Sequence, residues 1–253
     1  MGRARWLACA AALLWLGCAA APARGACLAR AAVGCACGEG GARLDCRSAA
    51  LRRLPPLHEN LLSLDVSNNN ISTLPRDALL PAAGLRELNL SMNRLESLAG
   101  GALSGAALAR LWLDRCALRR LPAHALHDLH HLHFLSLAGN LLRELSATAL
   151  PPLPALHTLV LKRNRIAFID ERAFSNTPAL RVLRLEENLL AAVPAAVRLL
   201  PLLEDLSLAS NRVEVLEAGV LQACRRLARL ELRANPLAHV HARALTHLPH
   251  LTT

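Results

Sequence analysis

The chain has 253 residues and a formal net charge of +10, carried by 28 arginines and the single lysine Lys162 against 19 acidic residues. Its length allows one or two domains, while 53% apolar content, 2% aromatic content and no tyrosine exclude a core built on rings and favour stacked aliphatic side chains. The basic excess indicates either solvated arginine-rich faces or attraction to polyanions such as sulfated glycans and acidic proteins.

Residues 1–23 have the pattern of a secretory signal peptide. Arg3 and Arg5 precede an apolar run over 6–21, and a small-x-small site follows at Ala21-Pro22-Ala23. The run is too short for a comfortable membrane span, so a retained signal anchor is the weaker alternative. We therefore expect an exported, soluble chain of net charge about +8, with no membrane span.

Residues 24–56 contain a cysteine cluster made of Cys27, Cys35, Cys37 and Cys46. In an exported chain such a cluster indicates disulfides, whereas in the cytosol it would indicate a metal site. Four cysteines allow three pairings, and spacing alone does not choose among them. We expect this segment to form a cap that covers the apolar edge of the segment that follows it.

From residue 57 to residue 253 one apolar pattern returns eight times at intervals of 23 or 24 residues. Each copy has Leu at positions one and four, Leu or Val at position six, Asn or Cys at position nine and an aliphatic residue at position eleven, and the residues between them vary. Counting positions from the first leucine, the copies begin at Leu61, Leu85, Leu108, Leu132, Leu156, Leu180, Leu203 and Leu227, and a ninth opens at Leu251. The spacing resembles the leucine-rich repeat signature.

Alternation along a short strand turns positions four and six inward and positions three, five and seven outward. Position nine is Asn in seven copies and Cys116 in the third, and a buried amide there can satisfy backbone groups of the next coil. The pattern predicts an α/β solenoid: a curved horseshoe with a parallel sheet of eight strands on its concave face and an irregular or short helical convex arm. The aliphatic residues expected to seal that arm are Leu74, Leu98, Leu121, Leu145, Ile169, Val193, Leu216 and Val240, then Leu79, Leu103, Leu126, Leu150, Phe174, Leu221 and Leu245.

The concave face is the predicted binding surface, because exposed aromatic side chains beside arginine are typical of binding hot spots. Trp112 and the diagonal Phe134 are its aromatic side chains, although a tryptophan on a sheet can also pack on its neighbour alone. The predicted ligand contacts are Arg110, Trp112, Asp114, Phe134, Val160, Lys162, Arg184 and Glu186.

Other surface features carry separate predictions. A basic patch of Arg225, Arg226, Arg229 and Arg233 fits sulfated glycans or a solvated face. Glycosylation sequons occur at Asn70 and Asn89. After the last copy the pattern contains no cysteine-rich C-terminal cap, so we expect exposed apolar surface there, and either self-association through it or a chain shortened from a longer array.

No catalytic constellation is found in the sequence: glycine elbows, phosphate-cradling loops and paired carboxylates in a cleft-forming context are missing. His239 and His241 have the alternate spacing of a metal pair, but surface histidines are the better interpretation, since no completing ligand is placed nearby. Cys116 and Cys224 are expected to be structural free thiols. We therefore predict a protein without catalysis, metal or cofactor.

The leader, the cysteine cap and the eight copies together resemble the extracellular leucine-rich repeat superfamily over residues 27–251. In that superfamily's cap the first cysteine pairs with the third and the second with the fourth, which implies bridges Cys27–Cys37 and Cys35–Cys46. The segment 111–118 of the third copy and the segment 227–237 resemble chondroadherin and chondroadherin-like small leucine-rich proteoglycans.

That resemblance implies a secreted extracellular-matrix protein that binds collagen or cell-surface proteins. The alternatives are an ectodomain fragment of a cell-surface receptor and a secreted growth-factor binder. Nucleic acid is not an expected partner of an exported chain.

Overall fold

The computed structural model describes residues 34–252. The predicted leader, Cys27 and Thr253 lie outside this range. The fold is a stack of similar coils, in which each coil contributes one three-residue strand to a common sheet. Strands are numbered along the chain as β1 Ala36–Gly38, β2 Arg43–Asp45, β3 Ser63–Asp65, β4 Glu87–Asn89, β5 Arg110–Trp112, β6 Phe134–Ser136, β7 Glu144–Leu145, β8 Thr158–Val160, β9 Phe168–Ile169, β10 Val182–Arg184, β11 Asp205–Ser207, β12 Val215–Leu216, β13 Arg229–Glu231 and β14 His239–Val240.

The main sheet has ten strands in the order β1-β2-β3-β4-β5-β6-β8-β10-β11-β13. From β2 onward every pair is parallel, and equivalent positions of successive coils stand directly side by side, as Leu135 does beside Leu111 and Leu159. The eight repeat strands are confirmed. The N-terminal segment adds two more strands that the repeat pattern did not predict.

The core forms because the inward positions of every strand are aliphatic. The position-one leucines, from Leu61 to Leu227, are all fully buried, and so are most leucines at positions four and six. At the last coil Leu230 and Leu232 are only partly buried. Burying one such side chain stabilises the fold by about 1.5–3 kcal/mol, and no coil can do this without its neighbour.

The position-nine asparagines form a ladder of amides, buried in the middle coils and partly buried at Asn69 and Asn235, that joins successive coils. Nδ2 of Asn164, for example, donates to the carbonyl oxygens of Leu137 in the preceding coil and Leu161 in its own, each at 2.9 Å, while Oδ1 accepts the amide N–H of Leu142 at 3.1 Å. The same three bonds recur at Asn93, Asn188, Asn211 and Asn235. The predicted role of this amide is confirmed.

The residue before each ladder position has a left-handed backbone. All eight copies share this conformation at position eight, with φ between 51° and 68°, at Asn68, Met92, Arg115, Gly139, Arg163, Glu187, Ser210 and Ala234. Only one of them is glycine, although side-chain-bearing residues disfavour this region by about 1–2 kcal/mol. The turn from strand to convex arm therefore carries local strain that the ladder hydrogen bonds offset.

The convex arm is short and irregular, as predicted. It contains one α-helical turn, α1 (Ala123–Leu126), the 3-10 segments Leu80–Ala82 and Ala195–Leu199, and two parallel strand pairs, β7 with β9 and β12 with β14. Most of the predicted sealing residues are buried.

Val240 and Leu245, in the last described coil, were expected to seal the arm, and this expectation is wrong. They are 47% and 42% exposed. In the residues that the structure describes, no further coil packs over them. Within residues 34–252, the apolar side chains at this end of the core are partly exposed.

The cysteine-rich segment packs on the first coil as expected. β1 and β2 form an antiparallel hairpin, and β2 extends the sheet beside β3. Cys35 and Cys46 form a disulfide, and both are buried in the core together with Leu44. Cys37 is also disulfide-bonded. The expected bridge to Cys27 lies outside the described residues.

Candidate protein-binding surface

Three rows of side chains cover the concave face, because in-register strands align their outward positions. The position-three row runs from Ser63 through Glu87, Arg110, Phe134, Thr158, Val182 and Asp205 to Arg229. The position-five row runs from Asp65 to Glu231 on the same strands, and the position-seven row lies just after the strands end. The expectation that these positions all face solvent is wrong for Ser91, Ser136, Ala138, Asp205, Ser207 and Ala209, which are buried among longer neighbours.

An apolar zigzag crosses the middle of this face over four successive strands. Trp112 on β5, Phe134 on β6, Val160 on β8 and Val182 on β10 alternate between positions five and three, so that each lies diagonally beside the next. All four are partly exposed. The rings of Trp112 and Phe134 are in contact, with centroids 5.2 Å apart and planes tilted by 45°. We call these four residues the apolar platform.

A hydrogen-bonded layer fixes the backbone and small side chains around the platform. Oδ1 of Asp114 accepts the hydroxyl of Ser136 and the amide N–H of Ala138, the latter at 2.8 Å. The amide N–H of Asp114 donates to Oγ of Ser91 at 3.2 Å. Asp114, a predicted ligand contact, thus forms hydrogen bonds to the coils on both sides of it, and these bonds hold Ser91, Ser136 and the backbone of Ala138 in place.

The charged side chains beside the platform differ in how many partners they have. Arg110, 58% exposed, forms an ion pair with Glu87 at 3.1 Å, and Glu87 also accepts the hydroxyl of Ser63. Lys162 is exposed and forms no ion pair among residues 34–252. Of these predicted contacts, Lys162 is the more available to a partner.

A network of oppositely charged side chains lies on the concave face over the last three coils. Oδ2 of Asp205 lies 2.8 Å from the guanidinium of Arg184 and 2.6 Å from that of Arg229. Arg184 also pairs with Glu186 at 3.4 Å and approaches Glu231 at 3.8 Å. Oδ1 of Asp205 and Oε2 of Glu186 are buried and have no hydrogen-bond partner among the described residues.

This network includes residues that the sequence interpretation missed. Arg184 and Glu186 were predicted as ligand contacts, but Arg184 is bound to Asp205 of the next coil, and Glu186 pairs with Arg184 within its own coil. Asp205 and Glu231 were not singled out, although opposite charges recurring about one coil apart at positions three and five were a readable signal. The predicted basic patch is divided, since Arg229 is held by Asp205 while Arg225, Arg226 and Arg233 remain exposed.

Other candidate chemistry is sparse in the part of the chain that the structure describes. No group of three or more His, Cys, Asp or Glu side chains there is arranged to hold a metal ion. An open groove of about 660 Å³ beside Arg225 and His247 contains no nucleophile paired with a base. Burial raises the pKa of the free thiols Cys116 and Cys224 to about 11, so neither is an activated nucleophile.

The two sequons differ in their surroundings. Asn89 lies on the concave face, where Nδ2 donates to Asp65 at 3.1 Å and Oδ1 accepts the amide N–H of Ser91. Asn70 follows the ladder residue Asn69 and is partly exposed away from the sheet, with its backbone N–H bound to the carbonyl oxygen of Leu51. A glycan at Asn89 would therefore stand on the binding face, and one at Asn70 would not.

Stacked coils with inward leucines, a ladder of buried asparagines and a disulfide-bonded N-terminal hairpin define a leucine-rich solenoid. The family model described as "Leucine rich repeat" matches residues 59–118, 106–166, 154–213 and 201–253. The chain belongs to the leucine-rich repeat family. No helix in the described range is both long enough and apolar enough to span a bilayer.

Similar proteins cover parts of the chain. Oligodendrocyte-myelin glycoprotein of Mus musculus is 43% identical over 65 residues, which are 25% of this chain and 14% of that protein. Leucine-rich repeat-containing protein 3 of Danio rerio is 33% identical over 111 residues, 42% of this chain and 41% of that protein. The crystal structure of a TLR13–ssRNA13 complex superposes with a TM-score of 0.68 at 26% identity, over 77% of this chain and 32% of that chain. The chain thus spans less than half the length of each.

Proposed function

We propose that this chain is a secreted, non-catalytic module that binds an extracellular protein through its concave face. The observation that carries the proposal is the apolar platform: four apolar side chains, two of them aromatic, stay partly exposed on a sheet whose charged groups largely pair with one another. Aromatic side chains held rigidly at the centre of a polar rim are typical of interface hot spots.

For the partner, we propose collagen or another protein of the extracellular matrix, which is what the resemblance to the chondroadherin group implies. The likeness to a myelin glycoprotein and to TLR13 supports an extracellular or cell-surface setting. A concave surface with adjacent indole and phenyl rings favours a protein ligand that presents apolar side chains.

A second candidate is the ectodomain fragment of a cell-surface receptor, or a growth-factor binder. It is favoured by the TLR13 superposition, in which 77% of this chain covers only 32% of that receptor chain. A longer array would offer further coils for the same kind of surface.

The purified chain, tested against immobilised fibrillar collagen and an array of extracellular proteins, distinguishes these candidates. For the ligand it captures, we expect Trp112→Ala and Phe134→Ala each to weaken binding at least about tenfold, as hot-spot truncations do. Phe168→Ala is the matched control, because this ring is 59% exposed on β9, away from the concave sheet. Unchanged affinity in Trp112→Ala, or an equal loss in Phe168→Ala, would show that the platform is not the binding site.

A further inference from the structure

Seven exposed arginines lie on the lateral face where the chain leaves the concave sheet, at positions eight to thirteen of coils two to five, the copies that begin at Leu85, Leu108, Leu132 and Leu156. Arg163 is paired with Glu187. We call the other six the arginine stripe: Arg94, Arg115, Arg119, Arg120, Arg143 and Arg165. We propose that the arginine stripe binds a linear sulfated polysaccharide. The stripe lies outside the apolar platform and outside the basic patch at Arg225, so this proposal does not depend on the proposed function.

Coil-to-coil hydrogen bonds align the stripe. The amide N–H groups of Arg94, Leu141 and Arg165, all at position ten, donate to the position-eleven carbonyls of the preceding coils at 2.8–2.9 Å. Parallel coils repeat at about 4.8 Å, so the three steps from Arg94 to Arg165 span about 14 Å. Arg119 and Arg143 share position twelve in neighbouring coils, which places their Cα atoms roughly one such step apart.

The charge of the stripe is not compensated. None of its six guanidiniums forms an ion pair with any residue in the range 34–252. The carboxylates at the same positions of these coils are those of Glu96 and Glu144, so the six unpaired guanidiniums are accompanied by two carboxylates. On the concave face, by contrast, most arginines are paired with carboxylates. Stacked like charges repel one another in the free protein, and a bound polyanion would remove that repulsion.

The side chain of one stripe residue, Arg115, lies against a glycine of the next coil. Arg115 lies at position eight of coil three, and position eight of coil four is Gly139. A Cβ atom at Gly139 would lie 2.8 Å from Cγ of Arg115, so the arginine stem passes over the glycine. The side chain of Arg115 therefore extends over coil four, along the direction in which the coils stack.

The chemistry of the stripe favours sulfate over bases. Guanidinium forks bind oxyanions in bidentate geometry, and a row of them along one line suits a chain with regularly repeated charges. Single-stranded nucleic acid is usually held by aromatic rings interleaved with basic groups. At positions eight to thirteen of these four coils the one aromatic ring is Phe168. A sulfated polysaccharide is therefore the ligand that we assign.

The test measures retention of the full chain on immobilised heparin and its equilibrium binding to soluble heparin at several salt concentrations. Arg119→Gln/Arg143→Gln removes two charges from the stripe, and Arg225→Gln/Arg226→Gln removes the same charge from exposed positions outside it. We expect the stripe variant to elute at lower salt, to bind about tenfold more weakly at 0.15 M salt and to show a shallower salt dependence, since fewer counterions are released. The control should change less than about twofold. Both variants should keep the parental unfolding midpoint.

The remaining outcomes each overturn the proposal. Equal losses in both variants would mean that net charge alone attracts heparin. A loss confined to Arg225→Gln/Arg226→Gln would mean that heparin binds at those residues and not at the stripe. A parental chain that heparin does not retain would mean that the protein has no such site. A single-stranded oligonucleotide that displaces the chain at lower concentration than heparin of equal charge would exclude the sulfated ligand. Trp112→Ala should bind heparin normally, which separates this result from a failure of the proposed protein-binding function.

Discussion

The thiol of Cys116 donates to the carbonyl oxygen of Leu90 at 3.3 Å and so replaces one hydrogen bond of the asparagine ladder. The equivalent bond in the second coil is donated by Asn93 to Val66. A thiol, however, provides no oxygen for the amide N–H of Leu95, the position-eleven residue that an asparagine in the third coil would bind. The third coil is consequently the incomplete link between Asn93 and Asn140.

Cys116→Asn should therefore stabilise the protein. The new Oδ1 would accept the buried amide N–H of Leu95, and we expect the free energy of unfolding to rise by about 1 kcal/mol in urea titrations. Cys224→Asn is the control, because Cys224 is a buried thiol outside the ladder and an amide there would lie among apolar side chains. Its stability should fall, and a fall in both variants would contradict the ladder argument.

Alkaline pH should weaken the fold through its two free thiols. Burial raises the pKa of Cys116 and of Cys224 from 9.0 to about 11, so both stay neutral in the folded protein after they ionise in the unfolded chain. Their stabilising contribution is complete below pH 9 and is lost as the pH rises towards 11, by about 3 kcal/mol per thiol.

The measurement is the urea midpoint of unfolding between pH 8 and pH 11. The chain contains no tyrosine, and Lys162 is its only lysine. The Cys116→Asn/Cys224→Ala variant should show a nearly flat profile there. A decline of the same size in that variant would mean that the thiols are not responsible.

Gly139 should be hard to replace. Its φ is 68°, and a Cβ atom would meet Cγ of Arg115 at 2.8 Å. We expect Gly139→Ala to lower the unfolding free energy by about 1–2 kcal/mol. The reverse change at the same position of the last coil, Ala234→Gly, starts from φ 54° and should leave stability unchanged or raise it. Thermal unfolding of the pair checks the prediction, and equal destabilisation would argue against backbone strain at position eight.

Asp205 should matter more to stability than its single charge suggests. Its side chain is 11% exposed and holds both Arg184 and Arg229. Asp205→Asn would leave two guanidiniums poorly compensated, and we expect a loss of about 3 kcal/mol in urea unfolding. Glu187→Gln breaks a pair with Arg163 in which both side chains are about half exposed, and it should cost less than about 1 kcal/mol. Similar losses in the two variants would refute the difference in burial as the cause.

The solenoid was predictable from sequence because its determinants are local and repeated. Position-one leucines such as Leu61 and ladder residues such as Asn164 recur at a fixed interval, and each can be assigned a direction from strand alternation alone. The contact between Trp112 and Phe134 followed from the same geometry.

What the sequence did not predict depends on which neighbours a side chain meets. The hairpin β1–β2 lies outside the repeat period, so no recurring pattern indicated that it would extend the sheet. Asp114 and Arg184 were assigned to an open surface, yet hydrogen bonds and ion pairs with adjacent coils occupy them. Such commitments depend on distances between long side chains, which the repeat interval does not specify.

Each ladder amide joins a carbonyl of its own coil to one of the coil before it. Removing a few residues from a coil would shift every later leucine and asparagine off its partners and leave buried amides without acceptors. Removing or duplicating one complete coil would instead restore an equivalent junction. The length of this protein can therefore change with little penalty only in whole units of 23 or 24 residues, and its reach along a partner would change by one strand spacing at a time.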